Sequence, residues 1–579
     1  LEKSSGQLYF PEANELQLTF RSVAIGCIIG SILAAMNIYM GLTTGWTFSG
    51  SIIAAVLSYS IFRALKVSKP FSVLETNIAQ TTGSATGAMA SAAGLISSLP
   101  ALKLMGHDLS FIELMIWGAS VSFLGVFFII PLREQIIVRE KLCFPSGLAT
   151  AETIQSLFDE GNVLSAKKSS RFLWFALFSA FFTLVAYYLP IIEEPNLLPV
   201  IGLSSIAAWG FSILISPTMF GVGMIVGQRV GISLALGAVV GWGLLGPLSS
   251  SYEWVTGPIM DIKTGPRGWI LWPGVALMVS ESLMSVAFSW KSVVSIFKNS
   301  SGKVVVTENQ VVPRSVWFAG FSVVLIALTT SAYFIFSIHP IHSLIAVCLS
   351  SVLAIIGTRA SGETDINPIG GMGKITQIAF AAVDPGAVET NVLAAGITGA
   401  GAKQAGDLMQ DLKTGYMLGA SPRKQFYAQC VGILFGVFVA VPIYKLFDTV
   451  YEIGGEKMTA PAAHSWKAMA ELVTGGTGGL PQHVGVAIVC AAIFGAGCSV
   501  AKRFEALRPW TPSAMAMGIA FIVKPYLSLA MFLGSLFLVY WARRAPNSAS
   551  NFAVSIAAGL LAGGAIMGVG TALLSLLGF

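Results

Sequence analysis

Charge is what this chain has least of. Only 11% of its 579 residues are Asp, Glu, Lys or Arg, whereas a soluble surface carries about 25–35%, so a water-soluble globular protein is excluded. Cysteine chemistry is equally thin. Cys27, Cys143, Cys348, Cys430, Cys490 and Cys498 stand singly, mostly inside apolar stretches and without a CxxC, which argues against a disulfide framework or a zinc site. The five histidines, His107, His339, His342, His464 and His483, are dispersed, and no direct metal-ligand constellation is visible among them. HExxH and paired GxGD-type aspartates are also missing, against intramembrane proteolysis. No cleavable leader is recognised before the first apolar run, so that run is expected to direct insertion itself.

What the chain does have is apolar length. Hydrophobic residues make up 55% of it, in runs of roughly 18–24 residues, long enough to cross a hydrocarbon core of about 30 Å. The pattern predicts an all-α, polytopic transmembrane bundle. Spans are expected at 18–41, 45–65, 110–132, 171–192, 198–216, 229–247 and 268–290, with a polar, broken or re-entrant segment at 75–98. In the second half they are expected at 315–337, 340–358, 365–382, 388–410, 426–445, 483–500, 512–541 and 551–578. That makes about sixteen, with 512–541 divided near Lys524 and Pro525. The organisation read from this is an N-terminal tail (1–17), a first transmembrane repeat (18–290), a linker (291–314) and a second repeat (315–579). The net charge of +6 sits mostly in short loops, such as Arg63 to Lys69, Lys167 to Arg171, Lys291 to Arg314 and Lys502 to Arg508. These are expected to face the cytoplasm and give no argument for nucleic acid.

Two halves are read because a polar segment occurs twice. LETNIAQTTGSATGAMASAA, Leu74 to Ala93, returns as VETNVLAAGITGAGAKQAGD, Val388 to Asp407. Further matches keep the order: LGVFFIIP ending at Pro131 maps to FGVFVAVP ending at Pro442, and Glu140, Lys141 and Pro145 map to Glu456, Lys457 and Pro461. The offsets, 389−75 = 314, 442−131 = 311 and 456−140 = 316, are nearly constant, as in transporters built from internal repeats. The more basic loop after 132, compared with its counterpart after 445, leans towards inverted topology. A carboxylate, an amide and hydroxyls inside membrane-length segments are costly, and such groups line a pathway or a water-filled cavity. The chain therefore reads first as a carrier.

With these residues in view, the chain resembles the oligopeptide transporter family, which includes the yellow stripe-like metal-chelate transporters, and looks closest to its prokaryotic members. The resemblance is carried by NIYMGLTTGW (Asn37 to Trp46), ETNIAQTTGSA (Glu75 to Ala85), IPLREQIIVREKLCFPSGLATAE (Ile130 to Glu152), TDINPIGGMGKITQ (Thr364 to Gln377) and DLKTGYMLGASPRKQ (Asp411 to Gln425). It departs from the peptide-transporting branch where NPIGG replaces a shorter NPG. What the resemblance implies is a proton-driven symporter of small peptides or peptide-like metal chelates, in a bacterial inner membrane, working by alternating access and plausibly as a homodimer. Any iron, copper or nickel would travel already complexed to an organic chelator; no cofactor is implied.

Such cargo asks for hydrogen-bonding groups without many fixed charges, so that release stays fast. The candidates for substrate binding are Asn77, Gln80, Thr81, Thr82, Ser84, Asn367, Lys374, Gln377, Asn391, Thr398 and Lys403. Helix breaks that free backbone groups are expected near Gly83, Gly87, Gly370, Gly371, Gly373, Gly399 and Gly401; the competing use of these glycines is close helix approach. Glu75 and Glu389, with Glu281 third, are the candidates for proton coupling. Against this, the first two can complement helix N-termini, and Glu281 can be structural, bonded near Ser280 or Ser282. Asn37 is expected to bond a neighbouring helix. Pro368, in a polar break with Asp365 and Asn367, disfavours helix locally, and Lys374 serves either a substrate carboxylate or Asp365. Lys403, Asp407, Asp411 and Lys413 have intrahelical ion-pair spacing and read as partly solvated. The helix after Pro145 is expected to be architectural. Two rival classes remain: a magnesium-dependent membrane transferase using Asp407 and Asp411, and a passive channel.

Overall fold

The computed structural model describes residues 9–12, 15–47, 50–64, 71–159, 163–195, 202–261, 264–288, 312–364, 367, 369–455, 457–475 and 480–578. Most of the expected 291–314 linker, and Asp365, Pro368 and Glu456, therefore lie outside the described residues. Among the described residues every extended element is a helix, with one isolated bridge between Ile453 and Met458. Ten helices among the described residues are long and apolar enough to cross a membrane, and Ser51–Phe62, Pro217–Val226 and Ile369–Val383 are shorter apolar helices. The protein is a multi-pass membrane protein.

Several expected spans take a different form. No continuous helix occupies 198–216: beyond the undescribed 196–201, a single turn at Ser204–Ala208 gives way to non-helical chain that lasts until Pro217 starts the next helix. Gly202 and Gly210 adopt positive φ there (82° and 78°), which an α-helix cannot accommodate. The polar segment at 75–98 is broken, as Val73–Gly87, Met89–Ala92 and Ser98–Leu104, with Gly94 at φ 76°. Its echo is not. Val388–Met417 is one continuous 30-residue helix that runs through Gly399 and Gly401, and Gly370, Gly371 and Gly373 lie inside Ile369–Val383. These glycines admit neighbours instead: a β-carbon on Gly401 would lie 2.5 Å from Ser350 Oγ, and one on Gly83 3.2 Å from the carbonyl oxygen of Gly26. The 512–541 stretch divides into Ala514–Ile522 and Pro525–Arg544, because Pro525 has no N–H to continue a helix and holds Lys524 extended.

The chain forms two compact units, interleaved in sequence. One comprises 1–41, 46–169 and 286–445; the other 42–45, 170–285 and 446–579. The second unit packs an aromatic core of Trp242, Trp269, Phe521 and neighbours, in which the buried indoles donate to the carbonyls of Ala520 and Gln482, each at 3.0 Å. Tryptophan is tolerated in such a core because its N–H finds a partner. Glu281 belongs to this unit and pairs with Lys502.

The first unit contains both copies of the polar motif. Val73–Gly87, the first motif helix, is buried along its whole length, and Val388–Met417, the second, along nearly all of it. They run antiparallel: Gln80 meets Asp411 while Met89 meets Gln404, so numbers rise along one helix as they fall along the other. Two glycines from the matched LGVFFIIP and FGVFVAVP runs set the close approach. A β-carbon on Gly125 would collide with the backbone of Gly401 and Ala405 in the second motif helix, and one on Gly436 with the Thr86 backbone in the first and with Met89 just beyond it. Each run thus packs against the motif helix of the other half.

A buried polar crossing of two helices

The first motif helix starts where it does because Ser72 and Glu75 form a reciprocal capping box, Ser72 Oγ accepting from the Glu75 N–H at 3.0 Å and Glu75 accepting from the Ser72 N–H. The same carboxylate is held from the start of the helix Phe20–Thr44. Arg21 donates Nε to Oε1 at 2.8 Å and Nη2 to Oε2 at 2.5 Å, and Thr19 Oγ1 donates to Oε1 at 2.6 Å. Glu75 is fully buried. At the far end of the helix Asn37 Nδ2 donates to the Gly87 carbonyl at 2.9 Å.

Glu389 occupies the equivalent first turn of the second motif helix, but its side chain is 50% exposed and lies 2.7 Å from His107 Nε2. Glu281 pairs with Lys502 and accepts from the Met515 N–H at the start of Ala514–Ile522. Each of the three candidate glutamates thus has its own partner, and Glu75 and Glu389 stand at the starts of the two antiparallel helices.

The groups it does bring together lie at the antiparallel crossing. Gln80 Nε2 donates to Asp411 Oδ1 at 2.5 Å, and Ser51 Oγ bonds both that oxygen and Ser84 Oγ at 3.1 Å. Gln425 Nε2 donates to the Asp411 carbonyl at 2.7 Å and reaches Thr81 Oγ1 at 3.3 Å. One helical turn or two further on, Gln429 Nε2 donates to Gln404 Oε1 at 3.2 Å. Asn77 and Thr82 are buried on the same helix with side-chain atoms that have no partner, as do Gln80 Oε1, Asp411 Oδ2 and Gln429 Oε1. Buried polar atoms of this kind are satisfied by ordered water or a polar ligand, so this lining can accept hydrogen-bonding cargo.

A second polar seam joins the second motif helix to Ile369–Val383. Thr398 and Thr376 share a hydrogen bond at 2.8 Å, Asn391 Nδ2 donates to the Gln377 carbonyl at 2.6 Å, and Asn367 Nδ2 to the Ala402 carbonyl at 2.8 Å. Lys374 is buried on that helix. Lys403 pairs with Asp407 at 2.7 Å in a buried i,i+4 bridge, and Lys413 Nζ donates to the Leu142 carbonyl at 2.9 Å. The four residues expected to be partly solvated are therefore all buried. The Pro145–Asp159 helix packs onto this end, its Gly147 carbonyl accepting from Thr414 Oγ1 at 2.8 Å.

Sequence reasoning missed Ser51, Gln404, Gln425 and Gln429 and placed Asp411 among solvated or metal-holding groups. A signal existed: Gln404 and Asp411 are seven residues apart, and Gln425 and Gln429 four apart, spacings that put each pair on one helix face. Among the described residues no group of three His, Cys, Asp or Glu is arranged to hold a metal ion.

A multi-pass membrane protein with a buried, polar, sparsely charged helix crossing has the makings of a carrier. Comparison with known proteins agrees. The family model described as OPT oligopeptide transporter protein matches residues 17–575, and the chain belongs to that family. It is similar to a Saccharomyces cerevisiae protein named as an oligopeptide transporter, at 30% identity, covering 96% of this chain and 95% of the yeast protein. It is also similar to proteins named as metal-nicotianamine transporters. One, from Oryza sativa subsp. japonica, is 26% identical over 97% of this chain and 87% of its own length; one from Arabidopsis thaliana is 27% identical over 98% and 93%. The protein is a transporter and not an enzyme. The transferase reading of Asp407 and Asp411 is thereby overturned; Asp407 is engaged with Lys403 and Asp411 with Gln80 and Ser51.

Proposed function

We propose that the chain is a proton-coupled secondary active transporter, a symporter of small oligopeptides or peptide-like metal chelates that works by alternating access around the crossing of its two motif helices. The observation that carries this reading is the lining: hydroxyls and amides of Asn77, Gln80, Thr81, Thr82, Ser84 and Asn391, fully or nearly buried, with side-chain atoms of several left without partners. Cargo of either class presents carboxylates, amines and amides, and neutral polar groups can bind these without a fixed charge that would slow release. The relatives' names supply both cargo classes. A metal would be carried inside its chelate.

The two halves are, in this reading, inverted repeats. Antiparallel motif helices and the reciprocal packing of Gly125 and Gly436 support it. About sixteen membrane crossings, a bacterial inner-membrane location and a homodimer complete the proposal on the strength of the family resemblance.

The test is uptake by purified protein in liposomes under an inward proton gradient, with labelled di- to tetrapeptides and metal–nicotianamine complexes as the panel. One class is expected to accumulate above its external concentration, and a protonophore is expected to abolish the excess. Uptake that stops at equal concentrations whatever the gradient would make the protein a passive channel.

A further inference from the structure

Several buried or half-buried carboxylates among the described residues are held by cations. Glu75 has Arg21, Asp407 has Lys403, Glu140 has Arg359 at 2.6 Å, and Glu281 has Lys502. Asp411 breaks the pattern. It is 1% exposed, its Oδ1 takes the Gln80 amide and the Ser51 hydroxyl, and its Oδ2 has no partner. Among the described residues no cation lies within ion-pair distance of it.

Among the described residues the side chains bonded to Asp411 are neutral. Of the other helices packed on Val388–Met417, Pro340–Thr364 carries buried Arg359, paired with Glu140, and Ile369–Val383 carries buried Lys374. Gln80 and Ser84 face it from the first motif helix and Ser51 from Ser51–Ala64. Gln425, from Pro422–Tyr451, reaches its backbone carbonyl. On its own helix Asp407 lies one turn back, already paired with Lys403, and Lys413 is turned to the Leu142 carbonyl. From Pro145–Asp159, Glu152 is exposed. An ionised carboxylate taken out of water without a counter-charge is strongly disfavoured, and a proton arriving on Oδ2 would remove that penalty. Gln80 and Ser51 belong to two other helices, so a charge on Asp411 changes what holds three helices together.

We propose that Asp411, seated between Gln80 and Ser51, is the group that takes up and releases the driving proton. This deepens the symporter reading and rests on it. Loading Oδ2 turns the carboxylate into a hydroxyl donor within a lining that holds further unpartnered acceptors such as Gln80 Oε1. Unloading restores an acceptor. The crossing would thus bind cargo differently in its two charge states, which is what coupling requires.

Two measurements test the proposal. In the first, purified wild type, Asp411→Asn, Asp411→Glu and Glu75→Gln are compared by pH-difference infrared spectroscopy in detergent, without substrate. A protonated-carboxyl carbonyl band that titrates in wild type is expected to persist in Glu75→Gln, shift in Asp411→Glu and vanish in Asp411→Asn; an unchanged band in Asp411→Asn overturns the assignment. In the second, proteoliposomes loaded with a pH dye are given a labelled tetrapeptide or iron(II)–nicotianamine. Proton entry accompanying uptake is expected in wild type, to be lost in Asp411→Asn and to be restored by Asp411→Glu. Undiminished proton entry per molecule carried in Asp411→Asn likewise overturns it. An Asp411-dependent band in a wild type that moves no protons with either cargo would leave the proton site standing and sink the symporter reading.

Discussion

Removing Arg21 should damage this protein more than neutralising the carboxylate it holds. Glu75 is fully buried and its two oxygens accept two bonds from Arg21, one from Thr19 and one from the Ser72 N–H. Arg21→Met takes away both guanidinium bonds and leaves a charge in the core with only a hydroxyl and a backbone amide. Breaking a buried pair in this way costs about 3–5 kcal/mol. Because the Arg21 side chain is 25% exposed, part of its strength is already screened, and about 2–3 kcal/mol is the working value. Glu75→Gln differs in kind. The amide oxygen still accepts from Thr19 or Ser72, and Arg21, released to partial water, keeps its place over Phe62 and Phe71 at 5.3 and 5.6 Å from the ring centres. The loss is then about 1–2 kcal/mol, from the helix-terminal charge and the bonds to an Arg21 that water can partly re-solvate.

The assay is a thermal melt of the purified variants in one detergent, with the double variant included. The expected order of midpoints is wild type, then Glu75→Gln, with the double variant close to it, and Arg21→Met lowest. Rescue of Arg21→Met by Glu75→Gln is the signature, since it shows that the penalty is the abandoned charge. An Arg21→Met protein as stable as wild type, beside a Glu75→Gln protein that folds but cannot accumulate cargo, would refute this reasoning and give Glu75 to transport.

Further outcomes follow from individual contacts. Gly125→Ala and Gly436→Ala each push a methyl into a facing helix backbone or side chain and should cost about 1–3 kcal/mol apiece, whereas Gly497→Ala, with open space around it, should be neutral or gain up to about 1 kcal/mol; melting midpoints decide. Lys502→Met leaves Glu281 with the Met515 N–H as its partner and should speed limited proteolysis between Arg503 and Trp510, with Glu281→Gln less affected. Gln80→Leu removes one of the two side-chain groups bonded to Asp411 and is expected to depress uptake severalfold while the protein still elutes as a single species.

Local chemistry was legible in the sequence and long-range packing was not. Pro525 announces its break because the missing N–H acts on the residues beside it. The glycines of the second motif do not announce their use, since the same residue opens a helix or lets two helices touch, and only the identity of the neighbour decides. Gly401 faces Ser350, about fifty positions away in the chain, within an unbroken helix. The Lys403, Asp407, Asp411 and Lys413 series shows the same ambiguity. Its i,i+4 spacing is identical whether water or protein surrounds it, and what buries it comes from Gln80, Ser51, Leu142 and Gly147, all in the first quarter or so of the chain.

The doubled motif is a stronger signal than any single residue because it reports a relation and not a property. Leu74 to Ala93 and Val388 to Asp407 look like two polar spans, each unable to face lipid. Neither finds shelter in its own half alone: Gly125 presses on the second copy and Gly436 on the first. Helices that bury their polar faces in each other must be matched in length, spacing and small-residue placement, and a sequence that satisfies this twice at a nearly fixed offset carries long-range information in local form. Within that crossing the pairing is unequal. Gln80 and Asp411 meet at a position where the first copy offers an amide and the chain beyond the second offers a carboxylate. Two equivalent neutral groups there would give the crossing one stable state. A single ionisable group opposite a neutral donor gives it two, distinguished by the charge on one oxygen.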